Sequence, residues 1–397
     1  MGKVDDVIVI GGGVIGCSIA YQLAGRGLAV TVLERGRLGG EATAAAAGML
    51  GAQAEMNETG PLFQLSRWSR SLFPQLAEEL AALTGVGIGL VREGLLHLAM
   101  DEVQERELRG RAALQQAAGE PAAWLDAAEA ARLEPALSRG LRGALYLPED
   151  GQVEAPQLAR ALAAGAALRG AHLREYTQVR ELLVERGRVV GVLTDDGPRY
   201  AERVVAAAGV WSGRLLGGIG AELPLVPVKG ECFSVLAPPG LLRRTLFTPG
   251  CYIVPKAGGR LVVGATMVPG SYDRRVSLAG VAGLMQTAQR LLPAIGEAEW
   301  ERAWTGLRPQ SADGLPYLGA VPGYEGLYVA AGHYRNGILL APATGVWLAA
   351  LVAGGPAEAA ELLAREERQR TGASSWAAAC RAERLTVAAP VGAGEGA

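Results

Sequence analysis

Apolar positions open the chain in a strand–helix–strand rhythm. Val7–Ile10 is a short unbroken apolar run. A helix-spaced stretch follows, and Ala29–Leu33 is a second short run that stops at Glu34. Such short runs bounded by glycine or charge predict strands buried on both faces. Further on, apolar residues at helical spacing predict helices over 61–83, 101–118, 156–170 and 276–294, with a strand over 89–100 between the first two. Residues 156–170 sit where a crossover would return the chain to the first sheet. Val179–Val184, Val189–Thr194 and Arg199–Ala207 read as a meander turning at Arg186-Gly187 and Asp195-Asp196-Gly197. Residues 225–270 are β-rich, with a hairpin of Tyr252–Pro255 and Arg260–Thr266 about Ala257-Gly258-Gly259. Strand and loop return over 304–330. The longest apolar helix expected is Ile338–Ala353, short of the roughly 20 residues that span a bilayer.

The join between the first strand and helix carries chemistry. Gly11-x-Gly13-x-x-Gly16 lies there, and Glu34 follows about 20 residues on. Gly11 permits the turn, Gly13 lets backbone approach a pyrophosphate, and Gly16 lets helix and strand pack closely. The helix N-terminus offers N–H groups to phosphate, and Glu34 can accept from ribose hydroxyls. With strand, helix, strand and acid in order, the segment reads as a dinucleotide site. Two later stretches of small residues, Thr43–Met49 and Ala206–Ser212, are candidates for backbone lying close to the same cofactor.

The predicted fold class is α/β. A Rossmann-like cofactor domain (1–85, 150–220 and 305–365) is interleaved with an antiparallel β-rich substrate domain (86–149 and 221–304). A C-terminal segment, 366–397, ends in an Ala/Gly/Pro-rich tail from Ala388, expected to be disordered. A net charge of −2 argues against a nucleic-acid partner. Of 38 basic residues only Lys3, Lys229 and Lys256 are lysine, which reads as a composition bias. Four dispersed cysteines without a CxxC and only three histidines argue against a metal site and fit reduced thiols. With no secretory signal in view, a soluble cytoplasmic enzyme without membrane attachment is expected.

The motifs IGGGVIGCSIAYQLA, ATAAAAGMLGAQAE, AAGVWSG, CYIVPK, GLRPQSADGLPYLG and AAGHYRNGILLAPATG extend over about residues 4–350. On these the chain resembles the D-amino-acid-oxidase-like family of FAD oxidoreductases. Within it, the last run is most similar to the glycine oxidases that serve thiazole formation in thiamine biosynthesis. The resemblance implies non-covalent FAD. It places ribose on Glu34 and Arg35, and pyrophosphate on the Val14–Ile15 turn with Ala42 and Thr43. Ala47, Gly48 and Met49 would lie beside the flavin, and the backbone of Val179 at the adenine. His333, Tyr334, Arg335, Asn336, Gly337, Ile338 and Leu339 would follow the pyrimidine edge. A helix N-terminus there would stabilise negative charge on a reduced flavin.

For substrate, the resemblance singles out Arg308 as a bidentate carboxylate clamp, Tyr252 as a hydroxyl donor to the same carboxylate, Arg335 as a further contact and Met267 as an apolar wall near Cα. No acid–base residue is demanded; Arg308 and Tyr252 would orient the substrate for hydride transfer from Cα to flavin N5. The imine would hydrolyse to glyoxylate and ammonia, or pass to thiazole synthesis, and oxygen would be reduced to hydrogen peroxide. The family implies a homo-oligomer, commonly a tetramer, and thiazole synthase as a possible partner. Two further readings stay open: another amine oxidase, D-amino-acid oxidase or dehydrogenase of this fold (sarcosine oxidase among them), and a non-catalytic FAD- or NAD-binding module. Arg308 with Tyr252 argues against the last. His97 reads as a core or pocket-wall residue and His172 as surface. Residues 361–375 read as an inserted charged helix and linker.

Overall fold

The computed structural model describes residues 5–55, 58–369 and 376–387. The opening rhythm forms as expected: β1 (Asp5–Ile10), α1 (Val14–Ala24) and β2 (Val30–Leu33). After them, α2 (Pro61–Thr84) and α3 (Ala155–Leu168) pack over the sheet, and α3 returns the chain to β3 (His172–Arg174) beside β2. The long strand β4 (Gly197–Ala206) pairs in parallel with β1 along Ala201–Ala206, while its first residues close the expected meander. The sheet thus runs Tyr317–Ala320, Leu327–Ala331, β4, β1, β2, β3, parallel except at its first strand. The inner strands β1 and β2 are apolar along Val7–Ile10 and, but for Thr31, along Val30–Leu33, because both faces are covered.

A second, nine-stranded sheet holds the β-rich stretches. Its spine is β5 (Leu225–Leu236) paired antiparallel to β6 (Glu299–Ser311) from Leu225↔Ser311 to Leu236↔Glu299. The expected hairpin about Ala257–Gly259 is present, and Leu95–Ala99, Gly143–Leu147 and Ala123–Asp126 extend the sheet's far side. Cys17, Cys232, Cys251 and Cys380 are all free and buried.

Four expectations change. The boundary at 305 falls inside β6, because residues 305–311 continue the ladder with β5; the second sheet keeps them. The strand expected over 89–100 is limited to Leu95–Ala99 with a single bridge at Val91, since Gly94 takes φ 84° and breaks the run. The apolar helix does not stop at Ala353: α4 is Gly337–Gln369, interrupted where Gly355 turns to φ 74°, and Pro356 starts the second stretch. By length and composition Tyr334–Glu366 is long and apolar enough to cross a membrane, yet 72% of its most apolar window is buried. It packs on α1 and α2, as a core helix does. Residues 361–369 of the expected insertion belong to this helix; 370–375 and the tail from Ala388 lie outside the described residues.

Candidate active site

A cavity of about 650 Å³ runs from the carboxyl ends of β1, β2 and β4 to the floor of the second sheet. Ligands of open α/β sheets bind at this end of the strands. At the nucleotide end, the glycines are fixed by close approach. Gly11 takes φ 104°, and a Cβ there would meet the Ala207 carbonyl at 2.5 Å. A Cβ on Gly16 would lie 1.9 Å from the Gly11 carbonyl oxygen, so Gly16 seats α1 rather than lining the cavity. A Cβ on Gly13 would meet nothing nearer than Thr43 Oγ1 at 3.5 Å, and Gly13 lines the cavity.

Glu34 is buried, and its carboxylate accepts from Gly12 N and Gly36 N, each at 2.8 Å. Thr43 Oγ1 accepts from Val14 N at 3.0 Å, at the first turn of α1. Arg35 lays its guanidinium 3.7 Å from the centre of the Trp211 ring and pairs with Glu41 at 3.0 Å. Val14, Ile15, Ala42 and Val179 line the same stretch.

The middle of the cavity is formed by Ala47, Gly48 and Met49. Gly48 takes φ 80°, and a Cβ would stand 1.9 Å from the Val153 carbonyl oxygen. That carbonyl accepts from Lys256 Nζ at 2.8 Å; burial pulls this ammonium's pKa down to about 8. Across the gap, Gly306 of β6 faces Ala45 so closely that a Cβ would come within 2.6 Å, and Trp304 donates to the Ala45 carbonyl at 3.0 Å. The second sheet is thereby clasped to the cofactor loop.

His333 to Ile338 form the rim opposite, through a 3-10 turn (Tyr334–Asn336) that enters α4. His333 points its ring inward, with Nε2 3.0 Å from Thr344 Oγ1; burial drops its pKa to about 3. Leu339 is buried in the helix core, behind the cavity wall.

At the far end stand Arg308, Tyr252 and Arg335. Arg308 lies flat over Gly230, where a Cβ would be 2.2 Å from Nη1, and it donates to the Thr266 carbonyl at 3.2 Å. It has no carboxylate partner among the described residues. Tyr252 is buried with its hydroxyl 3.5 Å from Cys232 Sγ, over Gly264. Burial pushes the tyrosine pKa well up and also raises that of the Cys232 thiol, so both stay protonated. Arg335 meets Glu55 at 2.8 Å.

Met267 departs from its expected place. It is 49% exposed and stands outside the cavity wall, with its sulfur against the Tyr334 hydroxyl and Arg335. The segment after Gly264 leaves the sheet here and carries it to the rim. His97 is buried, T-stacked on Phe247 and 3.3 Å from Arg111, while His172 is exposed. Sequence reasoning missed Glu55, Gly230 and Cys232. Glu55 sits at the end of a quoted motif, but nothing local marks it as facing an arginine 280 residues away.

The glycine cradles, two converging helix N-termini and the stacked Arg35–Trp211 end fit a flavin dinucleotide. The chain matches the family model of FAD dependent oxidoreductases (DAO) over residues 6–351 and belongs to that family. Among its relatives is a glycine oxidase of Geobacillus kaustophilus, 51% identical over 350 residues, covering 87% of this chain and 92% of the relative. The crystal structure of glycine oxidase from Geobacillus kaustophilus superposes with a TM-score of 0.86 at 50% identity, covering 88% of this chain and 94% of that one. A bifunctional ThiO/ThiG protein of Nostoc is 38% identical over 352 residues, which are 87% of this chain and 52% of that protein.

Proposed function

We propose that this protein is a glycine oxidase that deaminates glycine and other small amines at the Arg308 end of the cavity. The observation that carries this reading is Arg308 itself: a guanidinium without a carboxylate partner among the described residues, facing the cavity beside the Tyr252 hydroxyl. Holding a flavin needs no such group, whereas an amino-acid carboxylate is matched by its fork.

FAD, when bound, supplies the acceptor for the hydride of the substrate Cα and passes the electrons on to oxygen. The protein's own part is binding and orientation. Arg308 holds the carboxylate, and Tyr252, protonated because it is buried, donates to the same group. Gly230 and Thr266 fix the guanidinium, so the substrate pivots little about its carboxylate. Among the described residues at this end none is a free base: Cys232 is a thiol, His333 is turned into α4, and Glu55 is paired with Arg335. The amine therefore enters neutral or yields its proton to solvent. Glycine, oxygen and water become glyoxylate, ammonia and hydrogen peroxide. Of the relatives, the ThiO/ThiG fusion supports handing the imine to a thiazole synthase in thiamine biosynthesis.

Adding glycine to the purified holoprotein without oxygen should bleach the flavin, and admitting air should restore the colour with one peroxide per glyoxylate. Bleaching without re-oxidation by air would identify a dehydrogenase instead. A cytoplasmic homotetramer completes the proposal, and sedimentation of the holoprotein checks the assembly.

A further inference from the structure

The charge at the substrate end is set by three groups. Arg308 has no carboxylate partner among the described residues, Arg335 is positive, and Glu55 lies against Arg335 with Oε1 2.8 Å from Nη2. Tyr252 and Cys232 are neutral. The other acidic groups of the cavity are engaged elsewhere or exposed. Glu34 accepts two backbone N–H groups, Glu41 is held by Arg35 and Arg274, and Glu181 is exposed. Glu231, which acts on Cys232 from outside the lining, is paired with Lys229, so the side chains lining this end sum to one positive charge, the complement of a single carboxylate.

Glu55 is not loosely hung. The Ala54 peptide before it is gripped on both sides: its N–H donates to buried Asp150 at 2.9 Å, and its carbonyl accepts from Arg111 at 2.9 Å. Gln53 donates its N–H to Asp150 and its side-chain amide to Gln115 and the Pro121 carbonyl. Asp150 is in turn held by Arg70 at 2.7 Å, which also binds Glu120 at 2.6 Å. A segment tied down this heavily presents its next side chain at a fixed place.

We propose that Glu55 sets the selectivity of this site: by cancelling the charge of Arg335 it admits amino acids with one carboxylate and turns away those with a second anionic group. The inference rests on the carboxylate-clamp reading of Arg308. A fixed carboxylate at the same end of the cavity as a bound anion, in surroundings less polar than water, opposes a second negative charge more than the first, which has Arg308 to itself. Rejection of the wrong ligand is then built into the pocket, alongside attraction of the right one.

The test compares acetate with malonate as ligands of the FAD-loaded protein, by calorimetry, in the wild type and in Glu55→Gln and Glu55→Asp. The malonate-to-acetate affinity ratio should rise at least tenfold in Glu55→Gln and stay within about twofold of wild type in Glu55→Asp, which keeps the charge. The kcat/KM ratio of iminodiacetate to glycine should follow the same order. If Glu55 merely orients Arg335, Glu55→Gln weakens both ligands alike; an unchanged ratio overturns the proposal while the clamp reading stands. Failure of the wild-type holoprotein to bind acetate at all overturns the clamp reading, and this proposal with it.

Discussion

At the scale of single residues, the site depends on pairs in which one partner is absent by design. Arg308 can lie flat only because residue 230 has no side chain. Arg308→Ala should raise KM for glycine by the loss of one charge-assisted clamp, about 2–5 kcal/mol, with flavin content unchanged; steady-state kinetics on the flavin-loaded variant check it. Gly230→Ala makes the complementary case. Its methyl would stand 2.2 Å from Nη1, so the guanidinium must leave its place. A KM increase of at least tenfold is expected while flavin content stays at the wild-type level, and unchanged KM would show that Arg308 works from another position. Arg308 stands out in the sequence as a candidate, through Gly-Leu-Arg-Pro and the family it resembles. Gly230 was not, because its role is defined by a strand 78 residues later, and neither residue marks the other locally.

At the scale of elements, local patterning predicted most helices and strands, and failed where neighbours decide. The helix after His333 was expected to end near Ala353, because Gly354-Gly355-Pro356 is a strong stop signal. Packing on α1 and α2 lets the chain resume helix beyond a single non-helical residue, Gly355. The 305 boundary failed for a similar reason: β6 is one strand only because β5 pairs with its whole length. The segment 51–55 is an element without regular structure, fixed by buried polar groups. Asp150→Ala would remove the acceptor for Gln53 N, Ala54 N and Arg70 at once. Leaving Arg70 buried with one of its two carboxylate partners gone should destabilise the protein by about 3–5 kcal/mol, read as a lower denaturation midpoint. Stability equal to wild type would show that solvent reaches this network.

At the scale of the whole molecule, buried titratable groups set the response to acid. His97 and His333 are held neutral by burial, with pKa values near 3 against 6.5 for a free imidazole. Between those values the unfolded chain binds protons that the folded chain refuses, so these groups cost stability as pH falls below about 6.5. Asp150 acts in the opposite sense: burial raises its pKa from 3.8 to about 6, so in that window the folded state binds the extra proton. Two histidines against one aspartate leave the unfolded state about one proton ahead between pH 5 and 6, above the range where carboxylates of lowered pKa such as Glu301 join in. Stability should therefore fall by about 1.4 kcal/mol per pH unit on acidification there. Urea unfolding at pH 6 and pH 5 measures this slope, and higher stability at pH 5 would contradict the assignment.

The sequence by itself determined the nucleotide half of this protein, because that half is contiguous: strand, glycine turn, helix and acid lie within 30 residues, and backbone physics alone dictates what such a turn can hold. Through the family it resembles, it also singled out a guanidinium and a tyrosine as candidates for the substrate. Only the tertiary structure decided the charge at the substrate end, the place of Met267 at the rim and the position of Glu55 against Arg335. Those depend on groups from separate sheets and loops meeting across a cavity, and electrostatic sums at a few ångströms exist only once the chain has folded.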